Sequence, residues 1–376
     1  MTMRLLYLTR DYPPAIGGME RNAAEMTAAL ARVGHSVRVL APHGAHAMPG
    51  TEFHSYRLHR NWRLAGARLR LTMVSHAFSF RPDAIIANTW SPCGWAARAA
   101  ARLANVPLFI VAHGLDVREP LQKPSVAQFE LATLRRCSAV LAVSRYTKEH
   151  LVRAGLSPDH IRVVPNGVDS ERFQPELPGH TAWRAALGLP DGPLFLTVAR
   201  LVPHKGHAAV LAALAALVAR GTGCSCCLVG DGPEYPALAA QAQALGIADR
   251  VRFIRNLPES ELPLAYAAAD VMVMPSVPAP DGSVEGFGIA YLEGSAAGVP
   301  VIGCSGTGAE DAIVNEETGF LVPPGDQAAL AARLALLADQ PALSRQLGAA
   351  GRARAIAEFN WDALARKLSG IIESAR

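Results

Sequence analysis

The chain has 376 residues, 50% of them apolar and 18% charged, and its 36 Lys and Arg against 32 Asp and Glu give a net charge of +4. Such a length exceeds one ordinary hydrophobic core and suits two domains of about 180 residues, the apolar content excludes extended disorder, and the mild positive excess does not mark a nucleic-acid binder. No stretch reaches about 18 uninterrupted apolar residues, and the first residues reach Arg10 and Asp11 too soon for the apolar core of a secretory signal, so a cytoplasmic protein without a membrane span is expected.

In chain order, Arg4 to Thr9 is the first strand candidate and Ser36 to Ala41 the second. Between them Met19, Ala23, Met26, Leu30 and Val33 recur at helical spacing, with Gly34 as the stop, so the start reads as a βαβ unit. Gly17 and Gly18 end the intervening loop. They lack the spaced dinucleotide fingerprint, which disfavours NAD; a paired glycine at a helix start lets backbone N–H groups meet phosphate, and an ordinary loop turn explains it equally well.

From 56 to 81, Arg57, Arg60, Arg63, Arg68, Arg70 and Arg81 interleave with Tyr56, Trp62, Leu64, Leu69, Leu71 and Phe78. This mixture suits an interfacial helix on anionic lipid, and a solvated helix face has the same composition. Further strand candidates at Ala84 to Ala87, Leu108 to Ala112, Ala139 to Val143 and Ile161 to Val164 predict a parallel, doubly wound sheet. His113 follows one of these strands directly, with Asp116 three residues on; a histidine there is more often structural than catalytic. Ser144 and the run from Pro165 to Asp169 read as turn chemistry.

After a less regular stretch holding Phe173, Pro175 and Pro178, the alternation resumes with Leu194 to Val198, Cys224 to Val229, Val251 to Ile254, Val271 to Met274, Val299 to Ile302 and Gly319 to Val322. A second sheet of the same type follows, and two such sheets imply a cleft. The expected divisions are 1–178, 179–355 and a terminal helix over 356–376. The six cysteines, at 93, 137, 224, 226, 227 and 304, have neither zinc nor disulfide spacing; those at 224–227 read as small apolar groups in a buried strand.

Arg200 and Lys205 follow the first strand of this second half, and ligands of open parallel sheets bind beyond the carboxyl ends of strands. Two fixed cations there suit a diphosphate that gains charge as a bonded group leaves, although a solvated basic loop would look alike. Gly230 to Pro233 is a strand-to-helix turn whose backbone can approach a ligand, and Arg255, Asn256 and Leu257 follow the next strand. The chain contains no Asp-x-Asp triplet, so the cations should come from the protein and no metal is expected.

The most informative segment runs from Glu285 to Glu293. Gly286 and Gly288 let backbone approach a ligand where the run Ile289 to Ala297 opens a helix. Glu293 then falls in the first two turns, where a carboxylate accepts from ribose hydroxyls, while Glu285 stays in the loop beside a transferred group; helix capping is the plainer reading. The continuation Gly294 to Ile302 is a small-residue helix end running into a buried strand. Together these eighteen residues resemble the signature of the retaining, nucleotide-sugar-dependent glycosyltransferases of family four.

The resemblance covers nearly the whole chain, strongest from Pro193 to Asp326 and weaker over 44–80, and is closest to the phosphatidylinositol-mannoside mannosyltransferases and to related polysaccharide and lipopolysaccharide enzymes. It implies the GT-B architecture: two doubly wound, Rossmann-like α/β domains facing a cleft, acceptor side first and nucleotide-sugar side second, with the final helix crossing back. It implies that His113 contacts the transferred sugar, that Arg200 and Lys205 hold the diphosphate, that Gly17 and Gly18 contact the donor, and that Leu257 holds the base. Gly286, Phe287, Gly288, Ile289 and Glu293 then bind the nucleotide, and Glu285 positions the sugar.

The implied reaction is hexosyl transfer by front-face attack, with the leaving diphosphate taking the acceptor proton and with no metal or other cofactor. GDP-mannose ranks ahead of UDP-glucose and UDP-N-acetylglucosamine as donor. The implied acceptor is a hydroxyl of a lipid-linked, polysaccharide or lipopolysaccharide precursor, met at the inner face of the cytoplasmic membrane. A sugar-nucleotide epimerase on the same fold and a noncatalytic nucleotide-sugar-binding subunit stay open as alternatives.

Overall fold

The computed structural model describes residues 1–15, 17–57, 62–114, 124–278 and 284–376. Packing divides them into two units, Met1–Gly167 with Trp361–Arg376, and Val168–Asn360.

The first unit holds β1 (Arg4–Leu8), β2 (Ser36–Pro42), β3 (Thr51–Tyr56), β4 (Ala84–Ala87), β5 (Leu108–Ala112), β6 (Ala139–Ala142) and β7 (Ile161–Val163). They form one sheet in the order β3-β2-β1-β4-β5-β6-β7, parallel throughout. Leu5 of β1 lies between Val37 and Ala84, so the chain reverses its direction of travel across the sheet at the β1/β4 pair. Strand β4 is buried at every residue, as expected of a parallel strand covered on both faces. The edge strand β3 is not predicted from the sequence, because Thr51–Tyr56 is mostly polar and only Tyr56 is fully buried.

The second unit holds β8 (Leu194–Val198), β9 (Ser225–Val229), β10 (Val251–Ile254), β11 (Val271–Val273), β12 (Val301–Cys304) and β13 (Gly319–Val322), in the order β10-β9-β8-β11-β12-β13. Its reversal lies at the parallel β8/β11 pair, where the buried Thr197 hydroxyl also donates to the Val273 carbonyl at 2.6 Å. All six cysteines are free and buried, and burial pushes the Cys227 thiol up to about 12. Both units are doubly wound parallel sheets.

The unit division differs from the expected boundary near 178. The segment after Gly167 already belongs to the second unit, where the buried Phe173 ring meets Tyr266 edge-on at 5.5 Å and the Phe173 carbonyl accepts from Arg352 at 3.1 Å. The last helix is Trp361–Glu373, not 356–376, and it belongs to the first unit. It packs on the helix Gly18–Arg32 through an Arg32–Asp362 ion pair at 2.8 Å and a His35 Nε2–Ser369 Oγ hydrogen bond at 2.7 Å. Among the described residues no helix is long and apolar enough to cross a membrane.

Candidate active site

Chain reversals in open parallel sheets create crevices beyond the strands' carboxyl ends, because the loops on either side turn away from each other. At the β8/β11 reversal the loop after β8 runs through Arg200 to a short turn, Pro203–Lys205, closed by Gly206. Gly206 has φ +77°, and a Cβ there would lie 2.2 Å from the Pro275 carbonyl oxygen in the loop after β11, so only glycine permits this approach. The Val277 N–H donates to the His204 carbonyl at 2.8 Å and ties the same two loops.

These ties bring Lys205 Nζ to 2.5 Å from Glu285 Oε2, with the two side chains 17% and 10% exposed. Burial would raise the Glu285 carboxyl, but the Lys205 charge and hydrogen bond, His204 and the Phe287 N–H outweigh it and hold the group below the usual carboxylate range. The Glu285 carbonyl accepts from Gly308 N–H at 2.9 Å, and a Cβ on Gly308 would lie 2.1 Å from the Gly286 carbonyl oxygen. Loops after β8, β11 and β12 therefore converge on Glu285. Gly308 was missed in the sequence, where its one signal is the spacing Gly306-Thr307-Gly308.

Gly288, at φ +88°, opens the helix Ile289–Ala296 with no side-chain cap, and Tyr291 fixes the first turn by donating its hydroxyl to the Met274 carbonyl at 2.6 Å. Gly288 and Ile289 are half-buried, whereas Phe287 is 2% exposed and packs edge-on to Phe359 at 5.9 Å, so Phe287 offers a ligand its backbone only. Glu293 is 3% exposed and its Oε2 accepts from the Tyr266 hydroxyl at 2.7 Å. The sequence missed Tyr266 because its contact with Glu293 spans two helices.

Arg200 is exposed, and among the described residues its side chain has no ion-pair partner like that of Lys205. Leu257 lies beyond β10, with β9 between it and β8, and is half-buried. Its neighbour Arg255 joins the loops after β9 and β10 through Asp231 at 2.7 Å and stacks on Tyr235 at 4.6 Å. His204 and His207 flank Lys205, 5% and 2% exposed. Burial, with the charges of Lys205 and His204, lowers His207 to about 4.

In the first unit the β1/β4 reversal is organised by Asn88, which is fully buried. It accepts from the Tyr7 hydroxyl at 2.7 Å and donates to the Met19 carbonyl at 3.3 Å, linking β1, the first helix and β4. His113 Nε2 lies 2.9 Å from the Asn88 carbonyl, which can only accept, so Nε2 carries the ring proton. Burial lowers His113 to about 4 and keeps the ring neutral near pH 7.

Gly17 precedes the helix Gly18–Arg32 in extended backbone, and the Glu20 carboxylate oxygen Oε2 lies 2.3 Å from where a Gly17 Cβ would be. An acid thus covers the helix start at which the glycine pair suggests a phosphate. Asp116 and Arg60 lie outside the described residues, as do the side chains of Trp62, Arg63 and Leu64. Within the arginine-rich segment, Arg70 turns inward onto the Trp95 ring at 3.7 Å and Leu69 is 3% exposed, whereas Leu71 and Phe78 are 71% and 58% exposed. Not every residue of that segment therefore faces solvent.

Two families match the chain side by side: Glycosyltransferase Family 4 over residues 16–172 and Glycosyl transferases group 1 over 180–354. The chain is 30% identical over 387 residues to the GDP-mannose-dependent alpha-(1-6)-phosphatidylinositol monomannoside mannosyltransferase of Mycolicibacterium smegmatis, covering 99% of each protein. It is 31% identical over 388 residues to the protein of the same name from Mycobacterium tuberculosis, covering 98% of each. The chain belongs to glycosyltransferase family four. The solved structure of HepE from Anabaena in complex with UDP and glucose shares the fold, with a TM-score of 0.83 at 21% identity over 99% of this chain and 100% of that one. The two doubly wound sheets are those of the GT-B glycosyltransferases.

Proposed function

We propose that this family-four glycosyltransferase moves mannose from GDP-mannose, with retention and without a metal ion, to a hydroxyl of a lipid-linked or polysaccharide precursor at a membrane surface. The observation that carries the reading is the 2.5 Å pair between Lys205 and Glu285 at the β8/β11 reversal, beside the helix opened by Gly288. Lys205 supplies a fixed cation and the Gly286–Gly288 backbone with the helix start supplies N–H donors, a set suited to a diphosphate whose negative charge grows as the sugar departs. Arg200, at the rim of the same loop, adds a second cation.

The ionised, buried Glu285 accepts hydrogen bonds from hydroxyls of the sugar and holds it in place. Glu293 serves the ribose, and Leu257 holds the base through its backbone. In the first unit, the neutral His113 meets a sugar hydroxyl, while the N–H groups at Gly17 and Gly18 meet an anionic group once Glu20 moves aside. In the transfer step the bond from C1 to the phosphate oxygen breaks and the bond from C1 to the acceptor oxygen forms on the same face. The acceptor proton passes to the departing phosphate oxygen.

GDP-mannose is favoured because the relatives named above are GDP-mannose-dependent. The membrane part is supported by the exposed Leu71 and Phe78 together with the exposed Arg57, Arg68 and Arg81. The test is transfer of labelled mannose from GDP-mannose to an organic-extractable lipid acceptor, run with and without EDTA. Labelled lipid formed equally in both supports the reading. Label that stays wholly in the nucleotide fraction contradicts transfer, and activity abolished by EDTA and restored by magnesium contradicts metal independence.

A further inference from the structure

Within the helix Ile289–Ala296 every residue from Tyr291 to Ala296 is buried, and Glu293 is 3% exposed among them. A carboxylate taken out of water needs hydrogen bonds in its place, and the Tyr266 hydroxyl, on the helix Leu262–Ala267, donates to Glu293 Oε2 at 2.7 Å. Lys205 answers Glu285 with a charge, whereas a neutral hydroxyl fixes the direction of a carboxylate without neutralising it. A carboxylate has lone pairs for about four hydrogen bonds, so this one leaves room for donors from a ligand.

Tyr266 is itself held. Its ring is fully buried and meets the Phe173 ring at 83°, with centroids 5.5 Å apart. The Phe173 carbonyl accepts from Arg352 Nη1 at 3.1 Å, and the same nitrogen donates to the carbonyl of Ala296, the last residue of the helix that carries Glu293. The tyrosine, its aromatic neighbour and the Glu293 helix therefore form one closed circuit, in which the hydroxyl cannot shift against the carboxylate without breaking a contact. Packing alone needs only the ring, which a phenylalanine would supply equally; the hydroxyl adds orientation, and side chains that read a ligand keep one rotamer through such support from behind.

We propose that Tyr266 is a positioning residue for the donor nucleotide: its hydroxyl aims the Glu293 carboxylate so that it accepts from the ribose hydroxyls. This rests on the assignment of Glu293 to the ribose in the proposed function and extends it to the residue behind. Without that donor the carboxylate turns about its last side-chain bond and gives up part of its hold on the ribose, while the contacts to base and diphosphate stay.

The experiment is calorimetric titration of the full chain with GDP and with 2′,3′-dideoxy-GDP, comparing wild type, Tyr266→Phe, Phe173→Leu and Glu293→Gln, with thermal melts as a control for folding. Wild type is expected to bind GDP on the order of tenfold more tightly than the dideoxy nucleotide, the effect of hydrogen bonds to a charged group. In Tyr266→Phe that preference should fall to about threefold through weaker GDP binding alone. Phe173→Leu, which keeps the hydroxyl but frees the ring, should give an intermediate preference. An equal loss for both nucleotides in Tyr266→Phe, or the wild-type preference kept in Tyr266→Phe or Phe173→Leu, overturns the positioning role; a preference abolished in Glu293→Gln then leaves the ribose reading standing. Equal affinity of wild type for the two nucleotides overturns the ribose reading and the positioning role together.

Discussion

Lys205 and Glu285 form one buried ion pair, Nζ to Oε2 at 2.5 Å, from loops that follow two neighbouring strands and lie 80 residues apart in the chain. Each partner compensates the other's burial, so removing one leaves a charge without its counter-ion. Lys205→Ala is therefore expected to lower stability by about 3 kcal/mol, and Lys205→Met/Glu285→Gln to recover most of that loss. Urea unfolding of Lys205→Met, Glu285→Gln and Lys205→Met/Glu285→Gln measures the coupling; strictly additive losses would show that the pair contributes nothing of its own.

Glu293 and Glu285 should fail in different ways. Glu293, held by Tyr266, is expected on replacement by Ala to weaken binding of free GDP on the order of tenfold. Glu285→Ala should lower turnover by about 10²-fold with a smaller change in GDP affinity. Calorimetric titration with GDP beside steady-state rates separates the two, and equal loss of affinity in both variants would assign Glu285 to the nucleotide.

Gly308→Ala tests the convergence of loops on Glu285. Its Cβ would sit 2.1 Å from the Gly286 carbonyl oxygen, a backbone atom that can only yield by moving the loop. The expected result is at least tenfold slower transfer with about 1–3 kcal/mol of destabilisation. Gly370→Ala, in the last helix with nothing within 4 Å, is the silent control. Unchanged transfer in Gly308→Ala would show that the Gly286 loop does not shape the site.

The pH dependence of stability should report His207. It is 2% exposed, neither ring nitrogen has a hydrogen-bond partner among the described residues, and it is held to about 4. The unfolded chain takes up a proton below about 6.5 while the folded one stays neutral until about 4. Its contribution is thus present above pH 6.5 and lost as pH falls toward 4, on the order of 3 kcal/mol. His113, also held to about 4, acts in the same direction. Urea midpoints between pH 7.5 and 4.5 should fall less steeply in His207→Leu than in wild type; identical slopes would contradict the assignment.

The sheets were legible because parallel strands covered on both faces read as apolar runs, as in Ala84–Ala87 and Leu108–Ala112. Edge strand β3 escaped because one side of it meets solvent, and the unit boundary escaped because Phe173 is fixed by Tyr266, a contact between distant positions. The placement of Lys205 and Glu285 near strand ends follows from periodicity, but their meeting depends on β8 lying beside β11, which sequence spacing does not encode. Likewise the Gly17–Gly18 pair is visible in the sequence, while the Glu20 carboxylate over it is a matter of rotamer and helix geometry.

The most direct test of the account is single-turnover transfer of labelled mannose from GDP-mannose by wild type and Lys205→Ala, at a temperature where both are folded. The account predicts labelled glycoside with wild type and a rate lower by on the order of 10²-fold or more with Lys205→Ala. Near-native transfer in the variant would contradict the assignment of Lys205 to the leaving diphosphate.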